Sequence, residues 1–244
     1  MTIGIFGTGR FGRFWATALA QHARVITYSR TPREAPDGCV AGSLADIGAC
    51  DAVMLCVAIS AVDDALHALV PHLGSRVTVM DTCSVKVEPT EAMMRIVPEH
   101  NPVIGTHPMF GPDSAPNGVG GLPFVYTPMR GPVEIVERFR GFFGGIGLRV
   151  IDMSADEHDR AAAMTQGVTH LLGRLLADMG VEASPIATVG YRKLLEVVEQ
   201  TCNDPYQLFV DLQQRNPYTR QMRERLLESL SRLMAALSDD LTAE

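Results

Sequence analysis

Residues 3–12 read Ile-Gly-Ile-Phe-Gly-Thr-Gly-Arg-Phe-Gly, and this stretch decides the fold class. Its last six residues, Gly7–Gly12, fit the pattern G-x-G-x-x-G directly after an apolar run and before a helical pattern. The pattern alone is weak, but between a strand and a helix it is typical of a dinucleotide-binding turn. In such a turn Gly7 permits the tight bend, Gly9 lets the backbone approach a pyrophosphate, and Gly12 lets the helix pack closely. The stretch therefore predicts the first strand and helix of a Rossmann-type sheet, with the helix N-terminus facing phosphates.

Outward from this turn, short apolar segments alternate with longer amphipathic ones as far as about residue 150. Strands are predicted over Thr2–Phe6, Arg24–Tyr28, Ala52–Val57, Arg76–Met80, Pro102–Thr106, Leu122–Tyr126 and Leu148–Asp152. Helices are predicted over Arg10–Gln21, Ala61–His72 and Pro132–Phe143. This alternation is typical of βαβ units and predicts an α/β fold with a doubly wound, mostly parallel sheet.

From about Ser154 only helical patterns remain. They cover Ala155–Met179, Ile186–Cys202, Pro205–Arg215 and Pro217–Leu237. The sequence therefore predicts a nucleotide-binding domain over 1–152 and an all-helical domain over 153–244. In the last pattern an apolar stripe recurs near helical period, formed by Met222, Leu226, Leu227, Leu230, Leu233 and Leu237. Such a stripe packs in the core or in a dimer interface, and because the helical layer is small we expect a homodimer through this domain.

Composition and charge exclude several classes of function. The 244 residues are 46% hydrophobic and 20% charged, with a formal net charge of -7. This acidic balance argues against nonspecific binding of nucleic acid or of anionic membranes. The five cysteines are scattered without a CxxC pair, which argues against a metal site or a disulfide framework. Because the thiols are expected to be reduced and no apolar run approaches the ~20 residues that cross a bilayer, we expect a cytoplasmic protein.

The second predicted strand ends in Tyr28-Ser29-Arg30 and indicates which nucleotide is bound. An NAD-binding unit normally places Asp or Glu here for the ribose 2′-hydroxyl, but this segment has no acid before Glu34. Ser29, Arg30 and Arg33 instead offer donors that suit a 2′-phosphate, so the sequence predicts NADP. The alternative is that both arginines are solvated loop charges. We also assign to the cofactor site the rest of the glycine loop and the end of the third predicted strand, namely Thr8, Arg10, Phe11, Cys56 and Val57.

Two further signals lie at the ends of neighbouring predicted strands. One is the run Asp81–Lys86, and the other is the octapeptide Gly105–Pro112, which is predicted to place His107 on a stiff turn straight after its strand. Because the carboxyl ends of parallel strands meet at one edge of a sheet, we expect Ser84, Lys86 and His107 to surround one substrate. A neutral imidazole, with an ordinary pKa near ~6.5, can accept a proton at physiological pH. A Ser/His hydrolase is the alternative, but the serine lacks a G-x-S-x-G elbow.

These motifs together resemble the arogenate/prephenate dehydrogenase family and are most similar to its plant-type, NADP-dependent arogenate dehydrogenases. In the sheet half the resemblance rests on Phe11-Gly12, Tyr28-Ser29-Arg30, Ser84-Val85-Lys86 and Thr106-His107-Pro108-Met109-Phe110-Gly111-Pro112. In the helical half it rests on Glu157-His158-Asp159, Gln166-Gly167-Val168-Thr169-His170, Gly173-Arg174, Gly190-Tyr191 and Val198-Glu199-Gln200-Thr201. The resemblance runs over nearly the whole chain and implies a Rossmann-type domain followed by helices.

The resemblance implies oxidative decarboxylation of a cyclohexadienol. His107 is then expected to accept the proton of the ring hydroxyl as hydride leaves the same carbon for the nicotinamide. The ring carboxylate leaves as CO2, because the product ring becomes aromatic, and no metal is needed. Ser84 is similar to the family's serine that bonds the hydroxyl and orients the histidine. For Lys86 we expect a positive potential near the substrate carboxylates, with a salt bridge as the alternative.

The choice between arogenate and prephenate depends on the side chain, which is an amino acid in one and a keto acid in the other. Asp204 is the expected partner of the arogenate ammonium, because a buried unpaired charge is costly. An acidic residue here resembles the plant-type determinant, and the alternative is a helix N-cap. Glu196 stands where prephenate-specific members carry an arginine, which also favours arogenate. The alternatives are a dehydrogenase for prephenate or an amino-substituted analogue, another NADP reductase of this architecture, and a non-catalytic NADP-binding protein.

Other residues of the helical half are also expected to serve the substrate. Gln166 and His170 lie four apart on one helix and share a face, so both are predicted to touch it, with a structural role as the alternative for His170. Arg174 and Arg215 are the candidates for binding the side-chain carboxylate. The pair His158–Asp159 is expected to link the two domains. The remaining histidines are expected at the surface: His22, His67, His72 and His100.

Overall fold

One eight-stranded sheet organises the first part of the chain, and the computed structural model describes residues 1–239. The strands are β1 Thr2–Phe6, β2 Arg24–Tyr28, β3 Val40–Ala41, β4 Ala52–Leu55, β5 Thr78–Asp81, β6 Val103–Pro108, β7 Pro123–Arg130 and β8 Arg149–Asp152. Their order is β3-β2-β1-β4-β5-β6-β7-β8, and each neighbouring pair is parallel except β6 and β7. The chain winds to one side of β1 through β2 and β3 and to the other through β4. This confirms the predicted doubly wound, mostly parallel sheet.

The helices of this part are α1 Arg10–Ala20, α2 Leu44–Gly48, α3 Val62–Leu69, α4 Val87–Ile96 and α5 Val133–Gly145. The three predicted helices are confirmed as α1, α3 and α5. All seven predicted strands are present, β1 and β2 with the predicted ends and the other five with shifted ends. The sequence patterns do not predict β3, α2 or α4. The first two have only two and five residues, and α4 carries Pro89 in its first turn, so none shows a clear period.

Buried aromatic rings hold α1 in place. Trp15 of α1 is fully buried, and its ring stacks on Phe124 of β7 and Phe143 of α5 at centroid distances of 6.0 and 6.4 Å. Its indole N–H points to the Met54 sulfur of β4 at 3.3 Å. Large rings of this kind contribute much of the packing energy of a core. Because α1 is anchored here, the glycine loop that precedes it has a defined position beside β1.

Contacts within the chain define two units, Met1–His158 and Asp159–Glu244. The first ends inside helix α6 (Ala155–Ala162), beyond the predicted boundary at 152/153. The remaining helices are α7 Val168–Asp178, α8 Val189–Asn203, α9 Tyr206–Arg215 and α10 Thr219–Asp239, with a wider π-helical turn over Ala163–Gly167. All four predicted helical patterns therefore form helices. Residues 240–244, the end of the predicted helical domain, lie outside the described residues.

Helices α7 and α8 approach each other closely at a glycine. A Cβ on Gly173 would lie 2.1 Å from the Thr201 hydroxyl oxygen, so only glycine fits there. Thr201 itself is buried and donates its hydroxyl to the Val197 carbonyl oxygen at 2.8 Å. The close contact places Arg174, the next residue of α7, beside the carboxyl end of α8.

The apolar stripe of α10 is only partly packed. Met222 is buried and Leu226 is half-buried, whereas the other members are exposed, namely Leu227, Leu230, Leu233 and Leu237. The core alternative is therefore wrong for these four leucines, and the dimer alternative stays a prediction. No helix in the described part of the chain, α10 included, has the length and apolar character needed to cross a membrane.

Candidate active site

The glycine loop between β1 and α1 fits tightly against its neighbours. Gly7 has a φ of 108°, a conformation that favours glycine. A Cβ on Gly7 would lie 2.4 Å from the Cys56 carbonyl oxygen, and one on Gly12 would lie 2.0 Å from the Gly7 carbonyl oxygen. Both glycines are therefore required by the fold. Gly9 differs, because a Cβ there would have no described atom within 4 Å.

The N-terminal end of α1 suits a dinucleotide pyrophosphate. Gly9 is the N-cap residue, and it makes no side-chain cap hydrogen bond to the first turn. That turn also carries no acidic residue in the described structure, so its partial positive charge is not offset. The buried Thr8 hydroxyl has no hydrogen-bond partner within residues 1–239. Open space at Gly9, an N-cap residue that makes no side-chain cap and an unpaired Thr8 hydroxyl together fit a bound pyrophosphate.

Arg10 and Phe11, predicted to contact the cofactor, are both held by protein side chains. Arg10 forms an ion pair with Asp113, in the segment after β6. Phe11 is half-buried, with its ring centroid 6.3 Å from that of Trp15 and 6.1 Å from that of Phe14. A role in cofactor binding stays a prediction for both residues.

The end of β2 carries the residues predicted to select the nucleotide. Ser29 is half-buried and Arg30 is exposed directly after the strand. A guanidinium nitrogen of Arg33 lies 3.4 Å from the Thr8 carbonyl oxygen, so Arg33 reaches the glycine loop. A guanidinium in this place suits a phosphate, since its planar N–H groups can bind two oxygens at once.

Cys56 and Val57 border the other side of the glycine loop. They follow β4, which ends at Leu55, two residues before the predicted end of this strand. The Cys56 N–H donates to the Phe6 carbonyl oxygen at 2.8 Å, and a Cβ on Gly7 would lie 3.2 Å from a methyl of Val57. Burial raises the pKa of the Cys56 thiol to about 12. Cys56 is therefore a neutral packing residue and not a nucleophile.

His107 lies inside β6, so the prediction that it stands on a turn after a strand is wrong. The strand continues to Pro108 because antiparallel β7 pairs with it, with His107 opposite Val125. Backbone pairing extends even further, since the Met109 N–H donates to the Pro123 carbonyl oxygen at 3.0 Å. A paired strand therefore holds His107, which is only 3% exposed.

A second histidine contacts His107. The Nδ1 atom of His107 lies 2.8 Å from Nε2 of His158, and both residues are buried. Ser154 and Glu157 form a capping box that begins α6, with the Glu157 N–H 3.2 Å from the Ser154 hydroxyl and the Ser154 N–H 2.9 Å from the Glu157 carboxylate. Sequence patterns single out His158 only through the motif Glu157-His158-Asp159. They do not reveal the pair, because 51 residues separate the two histidines.

The pKa of the His107 imidazole lies well below its ordinary value of 6.5. Burial is the largest cause, followed by His158 and then by the positive charge of Lys86. Each of these disfavours the imidazolium form. The ring is therefore neutral at physiological pH, which is the form that a proton acceptor needs.

Lys86 is engaged in a buried ion pair. Its Nζ pairs with the carboxylate of Asp81, and both side chains are fully buried. That carboxylate also accepts from the backbone N–H groups of Cys83 and Thr106, each at 3.0 Å. The salt bridge that the sequence leaves open as the alternative for Lys86 is therefore present. Its charge still reaches the site, because it lowers the pKa of His107.

Ser84 lies in the same loop, between Asp81 and Lys86. It is 6% exposed, and its hydroxyl has no hydrogen-bond partner in the part of the chain that the structure describes. Because Asp81 bonds the backbone of Thr106, this loop runs beside β6. A buried hydroxyl without a partner is uncommon in proteins and suits a polar group of a ligand.

The second unit contains three polar residues that lie four positions apart in the sequence. Gln166 lies in the π-helical turn, and His170 and Arg174 lie in α7. Within residues 1–239 each has a buried atom without a hydrogen-bond partner, namely Gln166 Oε1, His170 Nδ1 and Arg174 Nε. Burial, and next the charge of Arg174, lower the pKa of His170 to about 4, so its ring is neutral. Unpaired buried groups cost about 1–3 kcal/mol each, which makes this cluster suited to a polar ligand.

Asp204 ends α8 and does not cap α9. The N-cap residue of α9 is Pro205, so the N-cap alternative is wrong. One Asp204 carboxylate oxygen lies 3.9 Å from Nε2 of His170. Arg174 donates to the carbonyl oxygens of Thr201 and Asp204 at 3.0 and 2.7 Å. Arg174 thereby fixes the end of α8, and with it the position of Asp204.

The remaining residues singled out by the sequence are Arg215 and four histidines. Arg215, the second candidate for the side-chain carboxylate, forms an ion pair with Asp211 at 3.2 Å on its own helix. The surface prediction is confirmed for four exposed histidines, His22, His67, His72 and His100.

Known proteins match both halves of the chain. The family "Prephenate dehydrogenase, nucleotide-binding domain" matches residues 21–152, and "TYRAAT1-like, C-terminal domain" matches residues 175–244. Arogenate dehydrogenase 2, chloroplastic, of Arabidopsis thaliana is 35% identical over 239 residues, which cover 93% of this chain and 67% of that protein. Arogenate dehydrogenase 1, chloroplastic, of the same plant is 34% identical over 240 residues, covering 92% of this chain and 37% of that protein. The chain thus spans about two thirds of one plant relative and little more than a third of the other.

A solved structure shows the same fold. The crystal structure of Synechocystis arogenate dehydrogenase superposes with a TM-score of 0.71 at 23% identity, covering 99% of this chain and 94% of that one. The likeness therefore extends over both units, each with its own part of the fold. Together with the identity to the plant relatives over most of the chain, the motifs have one explanation. The chain belongs to the arogenate/prephenate dehydrogenase family of oxidoreductases.

Proposed function

We propose that this protein catalyses the NADP-dependent oxidative decarboxylation of L-arogenate to L-tyrosine. Membership of the family supports the reaction class. The observation that carries the proposal is His107, a buried imidazole that is kept neutral and held by a paired strand. The loop that runs beside its strand carries the unpaired Ser84 hydroxyl, which supports a second, hydrogen-bonding group for the substrate.

The proposed chemistry divides between these two side chains. Nε2 of His107 accepts the proton of the ring hydroxyl, since Nδ1 is engaged with His158. The Ser84 hydroxyl bonds the same substrate oxygen and orients it, which satisfies its own hydrogen-bonding group. A bound nicotinamide cofactor supplies the hydride acceptor. Loss of CO2 from the ring is driven by aromatisation, so the protein needs only to hold the ring and to take the proton.

NADP is the proposed cofactor. Gly7, Gly9 and Gly12 shape the loop that would receive the pyrophosphate, and Thr8 would donate its hydroxyl. The guanidinium of Arg33 already lies beside this loop. The proposed cofactor site also includes Arg10 and Phe11 at the start of α1 and the residues that follow β2 and β4, namely Ser29, Arg30, Cys56 and Val57.

Arogenate is the proposed substrate because of Asp204. Its carboxylate carries the charge that the ammonium group of arogenate needs, and the adjacent His170 is neutral and does not compete for it. Prephenate has a keto group at this position and offers the carboxylate no positive charge, which favours arogenate. Gln166 and His170 are proposed to contact the substrate through their unpaired atoms, and Lys86 acts through the potential at His107.

We also propose a homodimer that acts in the cytoplasm. The exposed leucines of α10 form an apolar face that a second copy could cover, which supports the dimer. All five cysteines are free thiols, as expected in a reducing compartment.

The test is an absorbance assay for reduced nicotinamide, run with arogenate and with prephenate, each with NADP and with NAD. We expect turnover with arogenate and NADP, and little in the other three combinations. Turnover with prephenate would keep the reaction class but contradict the role of Asp204. Turnover with NAD alone would contradict the roles of Arg30 and Arg33. Binding of NADP without turnover of either substrate would point to an analogue or to a non-catalytic protein.

A further inference from the structure

We propose that His158 is a positioning residue that accepts a hydrogen bond from the Nδ1–H of His107 and so keeps Nε2 as the proton-accepting nitrogen. This inference deepens the proposed function, because it rests on His107 acting as the base. The observation behind it is the contact between the two rings, with 2.8 Å between His107 Nδ1 and His158 Nε2. The ring centroids lie 5.0 Å apart and the ring planes meet at 67°, so the contact is edge-on and not a stack.

The direction of this hydrogen bond decides what His107 can do. A neutral imidazole carries one proton, and the nitrogen without it is the acceptor. If His107 donates from Nδ1 to His158, its Nε2 is free to take a proton. If His158 donates instead, His107 carries its proton on Nε2 and cannot act as a base there. The hydrogen bond made by one ring nitrogen determines whether the other nitrogen carries the proton. His158 therefore controls the tautomer of His107.

The positive charge of Lys86 and the burial of His107 explain why its tautomer needs to be controlled. Lys86, paired with Asp81, lies on one side and lowers the pKa of His107, and burial lowers it further. A proton that reaches Nε2 therefore creates a poorly stabilised imidazolium. An acceptor at 2.8 Å from Nδ1 stabilises that cation, because a charge-assisted N–H···N bond is stronger than a neutral one. Among these neighbours only His158 can accept from Nδ1, since Lys86 is a donor.

The backbone holds His158 in position for this task. Its N–H donates to the Ser154 carbonyl oxygen at 3.0 Å, in the first turn of α6. The capping box between Ser154 and Glu157 fixes the start of that turn. His158 is 2% exposed, so its ring has little room to turn away from His107.

The tautomer can be measured directly and without substrate. In protein labelled with ¹⁵N-histidine, a multiple-bond ¹H–¹⁵N correlation spectrum distinguishes a protonated Nδ1 from a protonated Nε2. The His107 signals are assigned by their loss in His107→Asn. We expect His107 to carry its proton on Nδ1 in the wild-type protein and to change toward the Nε2 form in His158→Leu. A wild-type His107 protonated on Nε2 would overturn the proposal.

Two matched variants connect the tautomer to activity. His158→Gln keeps an acceptor close to the place of Nε2, so we expect it to retain the tautomer and most of kcat. His158→Leu removes the acceptor and should lower kcat by about tenfold, with the KM for NADP unchanged, since an unsatisfied buried donor costs about 1–3 kcal/mol. His67→Leu, at an exposed histidine of α3, is the control and should match the wild type. Circular dichroism checks that each variant is folded.

The outcomes separate this inference from the proposed function. An unchanged His107 tautomer together with an unchanged kcat and pH profile in His158→Leu would overturn the role of His158. If the wild-type protein turns over neither arogenate nor prephenate, the proposed function fails, while the wild-type and His158→Gln spectra still decide the tautomer. If His158→Leu does not fold, loss of the Nδ1-protonated form in the folded Gln variant would contradict the proposal.

Discussion

At His107, surrounding residues decide whether an imidazole serves as an acid or as a base. Burial and the charge of Lys86 both act against the imidazolium, so the ring is unprotonated where a free histidine would be partly charged. The buried ion pair with Asp81 keeps that positive charge in place. The proposed base is therefore in its unprotonated form at neutral pH.

Replacing the base tests its role most directly. We expect His107→Asn to reduce kcat by about 10²–10⁴-fold, because general base catalysis is lost while the side chain remains polar. Affinity for NADP, measured by fluorescence titration, should stay the same, since the glycine loop is unchanged. Turnover close to that of the wild type would exclude His107 as the base.

The carboxylate of Asp204 is expected to set the choice between substrates. Asp204→Asn removes the charge but keeps the shape, so the ratio of kcat/KM for arogenate to that for prephenate should fall by about tenfold or more. Asp178→Asn, at an exposed acid of α7, is the matched control and should leave the ratio unchanged. A ratio that does not move in Asp204→Asn would leave this residue with only a structural place at the end of α8.

At the scale of elements, we expect Gly12 in the first turn of α1 to be required for folding and Gly9, just before α1, for cofactor binding. Gly12→Ala places a Cβ 2.0 Å from a backbone oxygen, so we expect a loss of about 1–3 kcal/mol or more in the free energy of unfolding. Gly9→Ala meets no described atom within 4 Å and should fold as the wild type does, yet bind NADP more weakly. Urea denaturation and NADP titration on both variants check this contrast. Equal stability of the two variants would contradict it.

The pairing of β6 with β7 also acts at this scale. The antiparallel partner extends β6 past His107 and puts the imidazole on a hydrogen-bonded strand. A side chain on a paired strand loses less freedom on binding than one on a loop, so the proposed base is held before substrate arrives. The rigid turn that the prolines and glycine suggest begins only after Pro108.

For the whole molecule, the neutral buried histidines predict how stability depends on pH. His107 and His170 have pKa values below 6.5 in the folded protein, so below that pH the unfolded chain binds protons that the folded chain does not. The contribution of these neutral histidines to the free energy of unfolding is therefore fully present above about pH 6.5. It is lost as the pH drops toward 4. His170, with a pKa of about 4, accounts for up to about 3 kcal/mol of that loss.

Thermal unfolding of His170→Gln across this pH range measures that contribution. The variant should lose less stability than the wild type between pH 6.5 and 4. It lacks the imidazole that binds a proton in the unfolded chain but not in the folded one. His67→Gln, at an exposed ring, should keep the wild-type slope. Identical slopes for wild type and His170→Gln would show that His170 is not held neutral in the folded protein.

Assembly is the second property of the whole molecule. If the exposed leucines of α10 form a dimer interface, Leu233→Glu should weaken the dimer by at least about tenfold, because it replaces buried apolar area with a charge. Gln221→Glu adds the same charge on the opposite side of α10 and is the control. Sedimentation equilibrium gives the dissociation constants. A wild-type protein that is monomeric at all concentrations would exclude the dimer.

The sequence alone determined the features that local chain chemistry encodes. Alternation of apolar segments predicts the doubly wound sheet, and the spacing of Gly7, Gly9 and Gly12 predicts the turn at its centre. At Gly7 and Gly12 the neighbouring backbone leaves no room for a Cβ. The same patterns predict the helical second half and single out His107 as a candidate proton acceptor. They fail for β3, α2 and α4, which are too short or too irregular to show a period.

Only the tertiary structure decided the state of the site. The contact between His107 and His158 spans 51 residues, and the pairing of β6 with β7 depends on a strand whose register no local pattern specifies. Arg174 reaches the end of α8 only because Gly173 lets two helices meet. The protonation state of His107 also depends on the tertiary structure. Desolvation and neighbouring charges act on the imidazole only once distant segments have packed around it.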